Sequence, residues 1–126
     1  MTSGFGSAEA VLSSDEIREI VAAALPESKT RNKRLLVLTP DTTRTCPLPE
    51  MVRALQDVAG SVAARLDFMI ALGTHTPMAD EKILQLYGNE EDQRSSFTNS
   101  SFLNHRWDLD ETMTRIGWIE PEEIEH

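Results

Sequence analysis

The sequence predicts an α/β fold, with a mostly parallel sheet in a three-layer arrangement. Three observations lead there. Leu35-Leu36-Val37-Leu38 and Phe68-Met69-Ile70-Ala71-Leu72 have the length and apolar content of buried strands. A stretch of helical periodicity lies between them, which is the spacing of a strand–helix–strand crossover. Each apolar run ends in a polar loop, and open sheets place their ligands at the carboxyl ends of strands.

Residues 1–12 form a flexible amino terminus; the first ten include two glycines and two serines and lack the basic and apolar regions of a secretory signal. Ser13 to Leu25 then reads as an amphipathic helix. Ser13 with Glu16 three residues on makes a capping box, and Ile17, Ile20, Val21 and Ala24 recur at helical spacing. Pro26 ends that helix, and Lys29 to Arg34 forms a basic, solvated connector. Arg34 to Thr39 is a buried parallel strand, followed by a loop of eight residues, Pro40 to Pro47.

Leu48 to Arg65 has Met51, Val52, Leu55, Val58, Ala59, Val62 and Ala63 on one helical face, with Pro49 tolerated in the first turn and Gly60 a local weakness. Asp67 to Leu72 is the second strand, closed by Gly73. Ala79 to Tyr87 is a third helix, with Ile83, Leu84 and Tyr87 inward and Gly88 suited to a left-handed C-cap. Phe102-Leu103 and Met113 to Ile119 are further candidate strands, while Asn89 to Ser101 is too polar to divide with precision. The whole reads as Rossmann-like, from residue 13 to residue 126.

Composition narrows the function. The chain has 126 residues, 40% of them apolar, which suits one modest globular core. Its net charge of −9, from 21 acids against 12 bases, argues against nucleic acid as a partner, since counterion release needs a basic face. Acidic clusters at Asn89 to Asp92 and Glu120 to Glu125 read as solvated surface. No apolar run approaches the ~20 residues that span a bilayer, so no membrane partner is expected. A cytoplasmic location follows from this and from the single cysteine, Cys46, which excludes an intrachain disulfide.

The chemistry concentrates in two loops. Asp41 and Arg44 stand three residues apart after the first strand, and a guanidinium fork suits a carboxylate or a phosphate. Asp41 can orient an imidazole or accept from a hydroxyl; Thr42, Thr43 and Thr45 can cap the next helix or bond to a phosphate oxygen. His75 follows Gly73 and Thr74 in the second loop, with the side chain best matched to proton transfer near neutrality. Cys46 is read as a small loop-filling residue rather than a nucleophile, for want of an assignable base. His105, beside Trp107 and Asp108, is read as structural. The chain has three histidines in all, too few beside His75 and His105 for a stand-alone metal site, so none is expected.

Together the Asp41-x-x-Arg44-x-x-Pro47 loop and the Ala71-Leu72-Gly73-Thr74-His75-x-Pro77-Met78 loop resemble the amino-terminal domain of the nickel-dependent lactate racemases. A weaker third match is Asn104-His105-Arg106-Trp107-Asp108. The resemblance covers residues 13 to 119 and implies a 2-hydroxy-acid racemase or epimerase using a nickel-pincer nucleotide. In that family a histidine takes the substrate's hydroxyl proton while hydride passes to the cofactor. By carry-over His75 is catalytic, and Asp41, Thr43, Arg44, Gly73 and Thr74 bind substrate or cofactor.

The resemblance also implies a partial domain, because the family's cofactor-anchoring lysine, nickel-ligand histidine, second catalytic histidine and second domain have no counterpart here. No lysine follows Lys82. The chain alone is therefore expected to be inactive, with a homodimer or a missing carboxyl-terminal portion to complete it. Two other readings stay open: a non-catalytic module that holds a phosphate or nucleotide at the same loops, and an inactive truncated scaffold.

Overall fold

The structure, a computed structural model, describes residue 4, residues 6–88 and residues 97–124. It opens with α1, Ser14–Ala24, which begins where the capping box predicts. The Ser13 hydroxyl accepts from the Glu16 N–H at 3.3 Å, and the Glu16 carboxylate accepts from the Ser13 N–H at 2.7 Å. The basic connector is not wholly a turn: its first residues belong to the short α2, Glu27–Thr30, braced by an Arg31–Glu27 ion pair.

Strand β1 runs from Arg34 to Thr39, α3 from Leu48 to Leu55, β2 from Arg65 to Ile70, α4 from Asp80 to Leu86 and β3 from Phe102 to Asn104. The three strands form one sheet in the order β1-β2-β3, parallel at both junctions. Parallel neighbours require a crossover, and α3 and α4 ride in the two crossovers. Both helices contribute to the same core: Leu48 and Val52 from α3 and Ile83 from α4, with Tyr87 just beyond it, pack with Leu66, Phe68 and Ile70 of β2.

That one-sided arrangement follows from strand order. When a chain steps across a parallel sheet in one direction, crossovers of the same hand put every helix on one face. The described residues therefore supply two of the three expected layers. Leu36, Leu38 and Leu103, on the other face, are 55%, 62% and 44% exposed, so β1 is a parallel strand buried on one side only. At the amino end of this open face Arg65 reaches Asp67 at 2.7 Å and Ser101 Oγ at 2.7 Å, while Asp67 accepts from the Ser101 N–H at 2.9 Å. This network fastens the approach to β3 onto β2.

Three other boundaries differ from expectation. The α3 helix stops at Leu55 and passes into a π-helical turn, Gln56–Gly60, so that Arg65 is free to start β2. Leu72 is buried, but β2 ends two residues earlier because the chain has begun to turn toward Gly73. Met113 to Ile119 forms no strand. Among the described residues no strand lies beside it, and Ile116 and Trp118 are 101% and 69% exposed. The short α5, Pro121–Ile124, follows it. The acidic cluster at 89–92 and the last acid of the tail lie outside the described residues.

The aromatic part of the core is compact. Phe68 stacks on Phe102 with centroids 5.3 Å apart, and Tyr87 meets both rings at 5.9 and 4.9 Å. The Tyr87 hydroxyl is satisfied by Thr39 Oγ1 at 2.6 Å, which links the end of α4 to the end of β1. Behind α4, Gly88 adopts φ +65° as the C-terminal turn requires, and a Cβ there would lie 2.8 Å from Pro49 Cβ.

Gly73 also has a positive φ, +60°, but open space faces it. Replacing each by alanine separates two costs. Gly73→Ala carries only the backbone term, about 1 kcal/mol. Gly88→Ala adds the collision with Pro49, for a total of roughly 2–4 kcal/mol. Urea unfolding of the two variants should show the larger loss at Gly88; equal losses would refute the close approach.

Candidate functional site

In-register pairing brings Thr39 beside Ile70, so the loops that leave β1 and β2 start at the same level. The alignment continues past the strands, since the Ala71 N–H donates to the Thr39 carbonyl at 2.8 Å. Each loop then turns on itself. In the first, the Asp41 carbonyl accepts from the Arg44 N–H at 3.3 Å; in the second, the Leu72 carbonyl accepts from the His75 N–H at 2.9 Å across Gly73.

The two turns aim Asp41 and His75 at each other. Asp41 Oδ2 and His75 Nδ1 are 2.5 Å apart. The other carboxylate oxygen, Oδ1, accepts from the Thr43 hydroxyl at 2.5 Å and the Thr43 N–H at 3.0 Å. Asp41 is 7% exposed, whereas 56% of the His75 side chain is open to solvent. The acid is a fixed anchor and the imidazole presents its far edge outward.

Those hydrogen bonds hold the Asp41 carboxyl down at about 2, the Thr43 hydroxyl contributing most, then His75, then the Thr43 N–H. At neutral pH the carboxylate is thus ionised and can only accept. The short contact then requires a proton on His75 Nδ1, and a neutral ring held this way carries its lone pair on Nε2. The arrangement is a base with its tautomer set by a buried anion. Thr43 is likewise committed: its one proton goes to Asp41, so toward a ligand it offers an acceptor. It does not cap α3, whose N-cap position is Pro47 with no side-chain bond.

Arg44, Gly73 and Thr74 line the same cleft, of about 500 Å³, with Asp41, Thr43 and His75. All six residues singled out from sequence are therefore neighbours. Arg44 is exposed and has no ion-pair partner among the described residues, so its guanidinium is available to an anion. Cys46 faces away from the cleft's chemistry: it is half-buried and packs against the hydrophobic core. His105 is not paired with Asp108, which takes both Arg106 N–H groups at 2.8 Å. What sequence reading left unassigned is the work of Asn104 and Trp107, whose side chains bond to the loop carrying His75.

A parallel sheet whose carboxyl edge gathers an oriented imidazole and an accessible guanidinium into one cleft defines a class, the α/β domain with a polar site at its strand ends. Within that class the particular family is shown by sequence. Residues 9–122 match the lactate racemase N-terminal domain, and the chain belongs to that family. It is also similar to a Thermotoga maritima protein of known crystal structure, with 23% identity and a TM-score of 0.57. That match covers 79% of this chain and 23% of the other, and shows the shared fold. No curated protein sequence matches the chain. Among the described residues no helix is long and apolar enough to cross a membrane.

The pH dependence of the site has a definite sign. Because the folded-state value of Asp41 is depressed to about 2 from 3.8, its stabilising contribution is complete above about pH 4 and disappears as pH falls through 2. Carbon-detected NMR titration of the carboxyl should give a midpoint near 2. Asp41→Asn should flatten the stability profile between those limits. A midpoint near 4 in the parent chain would show that the Thr43 and His75 bonds are not formed.

Proposed function

We propose that this chain provides the proton-transfer side of a 2-hydroxy-acid racemase or epimerase, with His75 as the acid–base residue. The observation that carries the proposal is the 2.5 Å Asp41–His75 contact at the mouth of a cleft that Arg44 also lines. A 2-hydroxy acid has a carboxylate and, one carbon away, a hydroxyl whose proton must leave when the carbon-bound hydrogen is lost as hydride. Arg44 suits the carboxylate through two parallel hydrogen bonds. His75 Nε2 suits the hydroxyl proton, and the imidazolium that forms is held by the Asp41 anion.

The nickel-pincer nucleotide, when bound, supplies the hydride acceptor. Residues here fit its phosphate end: nothing stands within 4 Å of a side chain built on Gly73, so a ligand can approach that backbone closely. Thr74 adds a hydroxyl to the same wall. Among the described residues no three His, Cys, Asp or Glu side chains gather to hold the metal itself. The anchoring lysine and the nickel-ligand histidine are assigned to protein outside this chain.

With hydride acceptance left to the cofactor, His75 has a two-way task. It would take the hydroxyl proton of a substrate of one hand as the 2-keto acid forms and give it back to the keto oxygen in the reverse direction, the opposite face being left to the family's second histidine. A base serves both directions only if its conjugate acid is neither too strong nor too weak near neutral pH, which suits imidazole.

A second reading, a phosphate- or nucleotide-binding module without chemistry, is favoured by the same exposed Arg44, and two substitutions separate the readings. In the whole protein loaded with cofactor, His75→Ala should lower kcat for lactate racemisation by about 10²–10⁴-fold while nickel content and cofactor absorbance stay unchanged. Turnover equal to that of the parent would refute the catalytic role. In the binding-module reading, Arg44→Ala weakens anion binding while His75→Ala leaves it intact and no racemisation is measurable in any variant.

A further inference from the structure

We infer that Asn104 and Trp107 are positioning residues for His75, acting across the sheet from the end of β3. This rests on the reading of His75 as the site's base. The Asn104–Trp107 segment was singled out by sequence without a task, and the structure gives it four bonds to the 70–78 segment. The His105 N–H donates to the Ile70 carbonyl at 3.1 Å, extending the sheet one residue beyond β3. The Asn104 side chain clasps Met78 from both ends of its amide: its oxygen accepts from the Met78 N–H at 3.0 Å, and its nitrogen donates to the Met78 carbonyl at 2.8 Å. The Trp107 indole N–H donates to the His75 carbonyl at 3.0 Å.

These bonds hold the loop where it would otherwise be free. Between Leu72 and Asp80 the chain has no regular structure, Gly73 to Thr76 are exposed, and its internal support is the Leu72–His75 turn. The Asp41–His75 contact fixes the imidazole from the β1 side, but a side-chain contact alone leaves the backbone of residue 75 able to rotate away. Trp107 pins that backbone at the carbonyl of the same residue, and Asn104 pins it three residues later. Proton transfer needs the base within hydrogen-bond reach of its partner, so a shift of about 1 Å in this loop is enough to lose it.

The turn that presents Trp107 is itself rigid. Arg106 and Asp108, on either side of it, form a doubly bonded ion pair at 2.8 Å. The Thr112 hydroxyl bonds to the Arg106 carbonyl and lies 2.8 Å from the Leu109 carbonyl. Trp107 is 39% exposed, so its indole is not a core residue held there by burial alone. Asparagine and tryptophan suit the two tasks: a primary amide can donate and accept at once, and an indole N–H is a donor on a stiff arm that an imidazole or hydroxyl at this position would not extend as far.

The imidazole nitrogens report the effect directly, without turnover. In the ¹⁵N-labelled 126-residue chain, long-range ¹H–¹⁵N spectra at a pH where His75 is neutral should show the Nδ1–H tautomer, set by Asp41, rather than the Nε2–H form that free histidine prefers. Trp107→Phe keeps an aromatic ring and removes the one bond to His75; Asn104→Ala removes the Met78 clasp. Each should raise the Nε2–H share about fivefold, the factor that corresponds to one net hydrogen bond, with the Phe68 and Tyr87 amide shifts unmoved. Trp107→Phe decides the matter if Asn104→Ala does not fold. A parent tautomer unchanged by these substitutions overturns the positioning role and leaves the Asp41 pairing standing. A parent already in the Nε2–H form overturns the pairing, and with it this inference. Whether the whole protein racemises a 2-hydroxy acid is decided separately, by the His75→Ala rates.

Discussion

The in-register pairing of β1 with β2 is the constraint on which the site depends. Adjacent parallel strands that start together, Arg34 beside Arg65, must also finish together, Thr39 beside Ile70. Two loops 34 residues apart in sequence at their key side chains therefore leave the sheet at one level, close enough for Asp41 and His75 to bond. A slip of one residue would turn the strand's alternation inside out, exposing Leu66, Phe68 and Ile70. Since those three are fully buried, the hydrophobic core enforces the register that the Asp41–His75 contact needs.

Much of this could be read before the structure, where a local rule had no competitor. The limits of β1, the Ser13–Glu16 cap and the left-handed Gly88 each depend on a few consecutive residues. Errors arose where the outcome depended on distant partners. The apolar residues of Met113 to Ile119 have the content of a strand, but a strand needs a neighbour, and none is beside them among the described residues. The span Leu48 to Arg65 has continuous helical periodicity, yet register with β1 calls Arg65 into the sheet, and the π turn at Gln56–Gly60 ends the helix in time. Layer number was illegible for the same reason: periodicity shows that a helix has a buried face, not which side of a sheet it covers.

For the candidate site, the motifs that carry the family resemblance brought forward six residues that the structure gathers in one cleft, but not how their side chains bond to one another. Asp41 was equally able to meet an imidazole or a hydroxyl, and it does both, one with each oxygen. Thr43 had the composition of a helix cap or phosphate ligand, whereas geometry commits its proton to Asp41. The contribution of β3 was the least visible. Nothing in the spacing of Asn104 and Trp107 says that their side chains reach backbone atoms 26 and 32 residues away, because that reach exists only once β3 has joined β2.

The contrast in burial between the two partners explains how the pair can work as a proton-transfer device. A carboxylate that changed its own charge near neutrality would make the imidazole's tautomer and basicity drift with pH. With its value pressed down to about 2, Asp41 remains an anion wherever histidine titrates, and only one member of the pair carries a variable proton. Thr43 is what makes this arrangement robust, because its hydroxyl and N–H hold the carboxylate ionised even before His75 contributes. The imidazole can then stay exposed, held at Nδ1 by Asp41 and at its backbone by Trp107. Burying the anchor and exposing the imidazole is the division that lets an open sheet edge, facing solvent on one side and its own core on the other, hold a titratable group still.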